Sequence, residues 1–322
     1  MRAAAARVSP WVLAALLAAA YLVADPRSAD LAAQDYRAGL FARAGFVLWD
    51  NGWYAGHHVP AYSLLFAPLG AWLGPQVVGA LAAVGGTWAF GRLAGREARL
   101  AGAWVALGLV ATLVAGRLTF ALGVALGLGA LALARGAAER RAPRRARWVA
   151  AVTLAALTSG ASPVAGAFLA LAAAAWWIGD PAARRPAVDA FALAALAPAA
   201  MTSLLFPEGG TFPFVASSAA PALAGTLLVL VPVGPERRVL RAGVALAAAL
   251  LVVSWALPTP MGGNAVRLGS LFAGPVLALA GRGCVRRTPD GRVRVDGAMT
   301  VTARLGINGL LRRDGHCSVT KG

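Results

Sequence analysis

A succession of long apolar runs, separated by short connectors rich in arginine, constrains this chain more than any other feature. The clearest run covers residues 100–134. As a single α-helix it would extend for about 52 Å at 1.5 Å per residue, whereas the hydrocarbon core of a bilayer is about 30 Å thick. The run must therefore fold back, with Gly116 and Arg117 as the natural turn. The sequence predicts an all-α, polytopic transmembrane helical bundle.

Composition supports the membrane class and excludes others. Hydrophobic residues make up 59% of the chain and charged residues 13%, whereas about 25% of residues are charged in a soluble domain. The net charge of +17 could indicate a nucleic-acid partner, but the arginines lie between apolar runs and form no single basic face. We therefore expect a lipid bilayer as partner and no nucleic acid. Cys284 and Cys317 show no CxxC or Cys/His spacing, so they predict neither a disulfide framework nor a metal site.

Counting the runs predicts about ten spans, with both termini in the cytoplasm. In this topology all but five of the 30 basic residues are cytoplasmic, as the positive-inside bias requires. The first run, preceded by Arg2 and Arg7, could be a signal peptide or an uncleaved helix, which we favour because more spans follow. The predicted spans are residues 11–23, 76–91, 100–134 (two spans), 148–178 (two spans, with a turn at 158–163), 188–205, 221–233, 242–257 and 268–280.

The first outer loop, residues 25–60, concentrates the polar and aromatic residues of the chain. A helical pattern there puts Leu31, Tyr36, Leu40 and Phe41 on one face and leaves Gln34 elsewhere, with a break at Gly45. We expect this helix to lie in the membrane interface. Residues 61–73 are apolar but too short to cross, so they predict a re-entrant or interfacial segment.

Three charged residues of the predicted outer side suggest chemistry. No nucleotide-binding or soluble-hydrolase motif is present in the sequence, and no acid lies in the middle of a span, which disfavours ion-coupled transport. A carboxylate at the membrane surface can act as general base toward a hydroxyl, and arginine can bind phosphate. Asp30 follows the first span, while Arg117 and Arg267 lie at outer span ends. The alternative is that Asp30 only balances nearby arginines and that Arg117 and Arg267 anchor helix ends.

Several short segments resemble the GT-C superfamily of glycosyltransferases, which use polyprenyl-phosphate-linked sugars on the outer membrane face. The resemblance covers roughly residues 10–180. Arg117 stands where glutamine is usual in the family turn, and Leu31 follows Asp30 where many members have a second acid. The segments that carry the resemblance are Asp30 after the first span, Ala44-Gly45-Phe46, Trp49, Trp53-Tyr54-Ala55-Gly56-His57, Tyr62-Ser63-Leu64-Leu65, Pro68-Leu69, the turn at residues 116–122 and the turn at residues 158–163.

The resemblance implies a mannosyltransferase-like enzyme in the bacterial cytoplasmic membrane, with a polyprenyl-phosphate-linked sugar as donor. It makes Asp30 the catalytic base, with Asp35 as the second candidate. No cofactor is expected, although binding of a divalent metal remains an open alternative. His57 and His58 are adjacent, so their side chains point apart and would need further ligands to bind a metal. Trp49, Trp53 and Tyr54 are most simply an aromatic belt at the interface, and one of them could instead stack on a sugar. The substrate-binding candidates are Asp50, Trp53, Tyr54, His57, His58, Arg117 and Arg267.

Two alternatives of other classes remain: a transporter or flippase for a lipid or small amphiphile, and a non-catalytic membrane subunit.

Residues 281–322 differ from the rest of the chain, because the apolar character stops abruptly there and nine basic residues follow. We expect a disordered, basic cytoplasmic tail beyond the membrane domain of residues 1–280. It is either a true tail held at anionic lipid or the product of a shifted frame or truncated gene.

Overall fold

A computed structural model describes residues 8–53, 55–95, 98–139, 144–207 and 210–280, and the backbone of two short strands further on. Twelve α-helices lie in these ranges, so the all-α expectation is confirmed. They are α1 (Pro10–Ala24), α2 (Ala29–Ala44), α3 (Phe66–Leu73), α4 (Pro75–Ala94), α5 (Arg99–Val114), α6 (Leu118–Glu139), α7 (Arg144–Ala161), α8 (Pro163–Gly179), α9 (Pro186–Leu205), α10 (Ala216–Leu228), α11 (Arg238–Ala256) and α12 (Val266–Ala280).

Five helical segments of the described residues are long and apolar enough to cross a membrane. The helices α1 and α2 meet at 82° and would add a sixth if the bent pair were one span. Three further apolar helices, α5, α8 and α10, are shorter than these segments. Together these helices are those of a multi-pass membrane protein. The five segments are Pro75–Ala94, Leu118–Glu139, Pro186–Leu205, Arg238–Ala256 and Gly262–Ala280.

Connectors predicted to share the outer side contact one another. The backbone N–H of Leu64, in the predicted re-entrant or interfacial segment, donates to the carbonyl of Gly160 over 2.8 Å. Further along, the N–H of Phe212 donates to the carbonyl of Thr259 over 3.0 Å. These bonds bring together segments that lie far apart in the sequence, as expected when consecutive helices alternate in direction.

At the opposite ends of the helices, arginine side chains bond to backbone carbonyls of other helices. The Arg135 guanidinium, at the end of α6, donates to the carbonyl of Leu93 at the end of α4 over 2.7 Å. The Arg237 guanidinium, before α11, donates to the carbonyl of Leu279 over 3.1 Å. Arginine therefore caps unsatisfied carbonyls at helix C-termini, where its charge also complements the helix dipole.

Close packing of α4 against α6 depends on small residues. A Cβ on Gly86 would come within 3.3 Å of the Cα of Ala125, and one on Gly79 would meet the side chain of Leu118 at 2.7 Å. Small residues let two backbones approach closely where lipid gives no hydrophobic drive for helix association. These two helices form the centre of the described bundle, together with the buried Leu109 of α5.

The predicted turn at residues 158–163 is shorter than expected. The helix α7 continues to Ala161, and Ser162 alone separates it from α8, accepting a hydrogen bond from the N–H of Ala165 over 3.3 Å. Thr158 lies inside α7, where its buried hydroxyl donates to the carbonyl of Leu154 in the same helix. The polar residues that suggested a loop are thus satisfied inside the bundle.

The chain divides into two compact units, Met1–Leu279 and Ala280–Gly322. In the second unit the structure describes an antiparallel pairing of Val285–Arg287 with Val293–Val295. The predicted disorder and the suspected frame shift concern residues that otherwise lie outside the described ranges, so both stay predictions.

Candidate functional site

Asp30 and Arg117, 87 residues apart in sequence, form an ion pair. The guanidinium Nε of Arg117 lies 3.3 Å from the carboxylate Oδ2 of Asp30. Asp30 is in the first turn of α2, and Arg117 is in the turn between α5 and α6. The side chains of Asp30 and Arg117 are 50% and 45% exposed, so both are accessible to solvent.

Gly116 makes this contact possible. Its φ of +73° is a left-handed conformation that favours glycine. A Cβ at this position would lie 3.0 Å from the carbonyl carbon of Asp30 and would collide with the Ser28 hydroxyl and the N–H of Leu31. The α5–α6 turn therefore packs directly on the start of α2 because it has no side chain there.

Arg267, at the start of α12, completes the charged group. Its guanidinium lies within electrostatic range of Asp30 and Arg117, and its Cζ is 5.4 Å from the centroid of the Phe120 ring. Asp30 and Arg117 are thus in contact, and Arg267 adds a second cation nearby, where α2, α6 and α12 begin. We call Asp30, Arg117 and Arg267 the charged cluster. It brings together three of the residues predicted from sequence.

Tyr62 borders the charged cluster and was missed by the sequence reasoning. Its hydroxyl accepts hydrogen bonds from Gln34 Nε2 over 3.3 Å and from the Thr119 hydroxyl over 3.4 Å. The Arg37 guanidinium carbon lies 3.7 Å from the centroid of the Tyr62 ring, and Arg267 is also within electrostatic range of Tyr62. Tyr62 therefore ties α2 to α6 beside the cluster.

The burial of Gln34 corrects the predicted face of α2. Gln34 is only 1% exposed, and the buried residues of this helix are Leu31, Gln34 and Ala38. The prediction was wrong because it sorted residues by polarity alone. The hydrogen bond from the Gln34 amide to Tyr62 makes burial of this polar side chain possible.

Asp35 does not join the charged cluster. It lies five residues after Asp30, which turns it about 140° around the helix. Although Asp35 is exposed, desolvation by the surrounding fold raises the pKa of its carboxyl, and the neighbouring Asp25 carboxylate adds to the rise. Asp25 itself accepts a hydrogen bond from the Gln76 amide over 2.6 Å. The two predicted catalytic acids therefore occupy different environments.

The other predicted binding residues gather at a short β-hairpin. Strand β1 (Trp49–Asp50) pairs antiparallel with β2 (His57–His58), with Asp50 opposite His57. The Tyr36 hydroxyl of α2 donates to Asp50 Oδ2 over 2.8 Å, and this bond raises the pKa of the Tyr36 hydroxyl. Asp50, predicted to bind substrate, thus anchors the hairpin to α2.

Aromatic rings cover this hairpin. The Trp53 ring centroid lies 5.1 Å from that of Tyr36, and His57 Nδ1 is 3.3 Å from the Trp53 carbonyl. The His58 ring meets the Trp49 ring edge to face at 4.8 Å. Within the described ranges, no three His, Cys, Asp or Glu side chains are grouped as in a metal site. Tyr54, also predicted to bind substrate, lies outside the described residues.

Comparisons with protein-family models, with curated proteins and with solved structures gave no match to this chain. The resemblance to the GT-C superfamily therefore rests on the sequence segments alone. The chemistry open to the site follows from its groups: a half-exposed carboxylate that can accept a proton, beside two guanidinium groups that can hold an anion.

Proposed function

We propose that this chain is a membrane glycosyltransferase of GT-C type, which transfers a sugar from a polyprenyl-phosphate donor to an acceptor hydroxyl. The observation that carries the proposal is the contact of Asp30 with Arg117, with Arg267 in electrostatic range of both. A glycosyl transfer with a phosphate leaving group uses a base at the acceptor hydroxyl and a cationic group at the phosphate, close enough to act on the same bound substrates. The charged cluster supplies both groups.

In the proposed reaction, the Asp30 carboxylate takes the proton of the acceptor hydroxyl. The acceptor oxygen forms a bond to the anomeric carbon of the sugar as the bond between that carbon and the phosphate oxygen breaks. Polyprenyl phosphate leaves with the electron pair, and Arg117 and Arg267 stabilise its negative charge. A base placed in this way contributes about 10²–10⁴-fold to the rate.

The resting ion pair does not prevent this reaction. A pair with both partners about half exposed contributes only about 0.2–1 kcal/mol. A bidentate arginine–phosphate contact is charge-assisted and stronger than an ordinary hydrogen bond. A donor phosphate can therefore replace Asp30 as the partner of Arg117 and leave the carboxylate free to act on the acceptor.

The hairpin is a candidate surface for the sugar or the acceptor. Trp49, Trp53 and the two histidines present ring faces and polar edges close to α2, the helix that carries Asp30. Aromatic faces and hydrogen-bonding groups in one place suit a molecule with apolar ring faces and many hydroxyls. The identity of that sugar is not specified by the arrangement.

The same proposal includes ten spans, cytoplasmic termini, an interfacial α2 and the bacterial cytoplasmic membrane. Its support is that helices occur in all ten predicted runs and that connectors of the same predicted side touch. Single cysteines at Asn51 and Arg238, labelled in whole cells with an impermeant reagent, test the orientation. Labelling at position 51 alone agrees with it, and labelling at position 238 alone reverses it.

Activity of the purified protein tests the function. The protein is reconstituted in liposomes with a polyprenyl-phosphate-linked sugar and an acceptor extract, and release of polyprenyl phosphate is measured. Acceptor-dependent release supports a transferase. Movement of the intact donor across the bilayer without release would instead support the flippase alternative, and neither result with any donor would favour a non-catalytic subunit.

A further inference from the structure

A groove runs along the outside of the bundle between α4, α6 and α7. It consists of two adjoining cavities of about 370 and 970 Å³, which share Trp88, Gly129 and Leu154 as lining residues. The lining positions on α4 extend from Val78 to Ala94, or about 24 Å along the helix. This length is close to the thickness of about 30 Å of a bilayer hydrocarbon core.

The floor of the groove is apolar and has room for a chain. Among the residues that the structure describes, a Cβ on Gly85 would meet no atom within 4 Å, and one on Gly129 would meet only Leu154, at 4.0 Å. These glycines differ from Gly79 and Gly86, whose missing side chains allow α4 to pack on α6. The space above Gly85 and Gly129 is therefore open to a molecule from outside the chain.

One end of the groove is basic. Arg92, Arg135 and Arg147 line it, with Glu139 as the one acid among the described lining residues. The Arg135 guanidinium is held in place by Glu139 Oε1 at 2.6 Å and by its bond to a backbone carbonyl. Arg92 Cζ lies 5.9 Å from the centroid of the Trp88 ring, at the junction of the two cavities. An excess of positive charge thus stands where the apolar channel ends.

We propose that this groove is a binding site for an anionic phospholipid of the membrane. The phosphate lies at Arg92, Arg135 and Arg147, and one acyl chain lies along Trp88 and over Gly129. The charge of the headgroup complements the basic end, and hydrocarbon matches the apolar floor. Basic pockets between transmembrane helices on the cytoplasmic side are known places for anionic headgroups. The site is separate from the charged cluster and does not depend on the proposed transferase activity.

Tryptophan fluorescence provides a direct test. The protein is reconstituted in phosphatidylcholine liposomes that contain a small fraction of brominated phosphatidylglycerol or, for comparison, brominated phosphatidylcholine. Bromine on an acyl chain in the groove quenches Trp88. Since the chain has ten tryptophans, the Trp88→Phe variant identifies the part of the quenching that arises at this position.

We expect more quenching by the anionic lipid than by the zwitterionic one, and loss of the excess in Trp88→Phe. Arg92→Gln and Arg147→Gln should each weaken the apparent affinity about fivefold. Arg145→Gln is the matched control, because this arginine is on the same helix as Arg147 but does not line the groove. Gly129→Leu should also remove the excess by filling a space that is open in the fold.

Equal quenching by the two lipids in the unaltered protein would overturn the proposal, since any lipid around the bundle would then explain it. An equal loss in Arg145→Gln and Arg147→Gln would also overturn it, because diffuse surface charge would be sufficient. Unchanged excess quenching in Gly129→Leu would show that the acyl chain is not in this groove.

Discussion

Replacing Gly116 by alanine perturbs the contact between Asp30 and Arg117 without removing either group. The new Cβ would collide with Ser28 and Leu31 and lie 3.0 Å from the Asp30 carbonyl carbon, so the start of α2 must move away from the α5–α6 turn. The ion pair at 3.3 Å opens as a result.

Two effects of this substitution differ in size. An alanine in left-handed backbone costs roughly 1–2 kcal/mol, which lowers stability but leaves the protein folded if its total stability is in the usual range of about 5–15 kcal/mol. A displacement of about 1 Å at a catalytic group can lower the rate about 10²-fold. We therefore expect Gly116→Ala to reduce sugar transfer about a hundredfold, with a loss of thermal stability larger than the strain alone because backbone atoms of α2 must move.

Gly95→Ala is the matched control. Gly95 has a similar φ of +81°, but a Cβ there would meet no atom of the described residues within 4 Å. Both variants place an alanine at positive φ, where an L residue is strained, and only Gly116→Ala displaces α2. Activity and melting temperature are measured for both in the same detergent. Full activity in Gly116→Ala, or an equal loss in the two variants, would refute the role given to this glycine.

Three further substitutions probe separate parts of the site. Asp35→Asn should lower transfer by much less than the 10²-fold expected of a general base. Desolvation raises the Asp35 pKa above 3.8, so its charged form is disfavoured in the fold. Because the side chain is exposed, water screens most of this effect; this variant should melt only slightly higher at pH 7 and lose the advantage as pH falls toward 3.8, and a lower melting temperature at pH 7 would contradict this. Arg267→Gln should raise the KM for the donor about tenfold to hundredfold through loss of a charged hydrogen bond, whereas an unchanged KM would remove Arg267 from donor binding. Tyr36→Phe keeps the ring against Trp53 but loses the bond to Asp50, so hydrogen exchange of residues 49–58 should accelerate; unchanged exchange would mean that another contact holds the hairpin.

The helices were predictable because apolar length and arginine position are local properties. The break at Gly45 and the turn at Gly116 were also visible, since glycine at the end of an apolar segment marks a change of backbone direction. Proximity of Asp30 to Arg117 followed in outline from placing both on one side of a membrane. The distance between them did not, because it depends on how the α5–α6 turn packs against α2.

Other features depend on contacts that no local pattern specifies. Gln34 is buried because Tyr62, 28 residues later, accepts its hydrogen bond. Tyr62 was treated as part of an apolar segment, and its partners on α2 and α6 come together only in the folded chain. The hairpin was missed because its strands have two residues each, too few to show alternation.

The most direct test of the proposed function compares the unaltered protein with Asp30→Asn in the liposome assay for polyprenyl phosphate release. Asparagine keeps the shape of the side chain but cannot accept the proton of the acceptor. We predict that the variant inserts and binds donor normally, while transfer falls about 10²–10⁴-fold. Equal transfer by the two proteins would contradict the account and remove Asp30 from the mechanism.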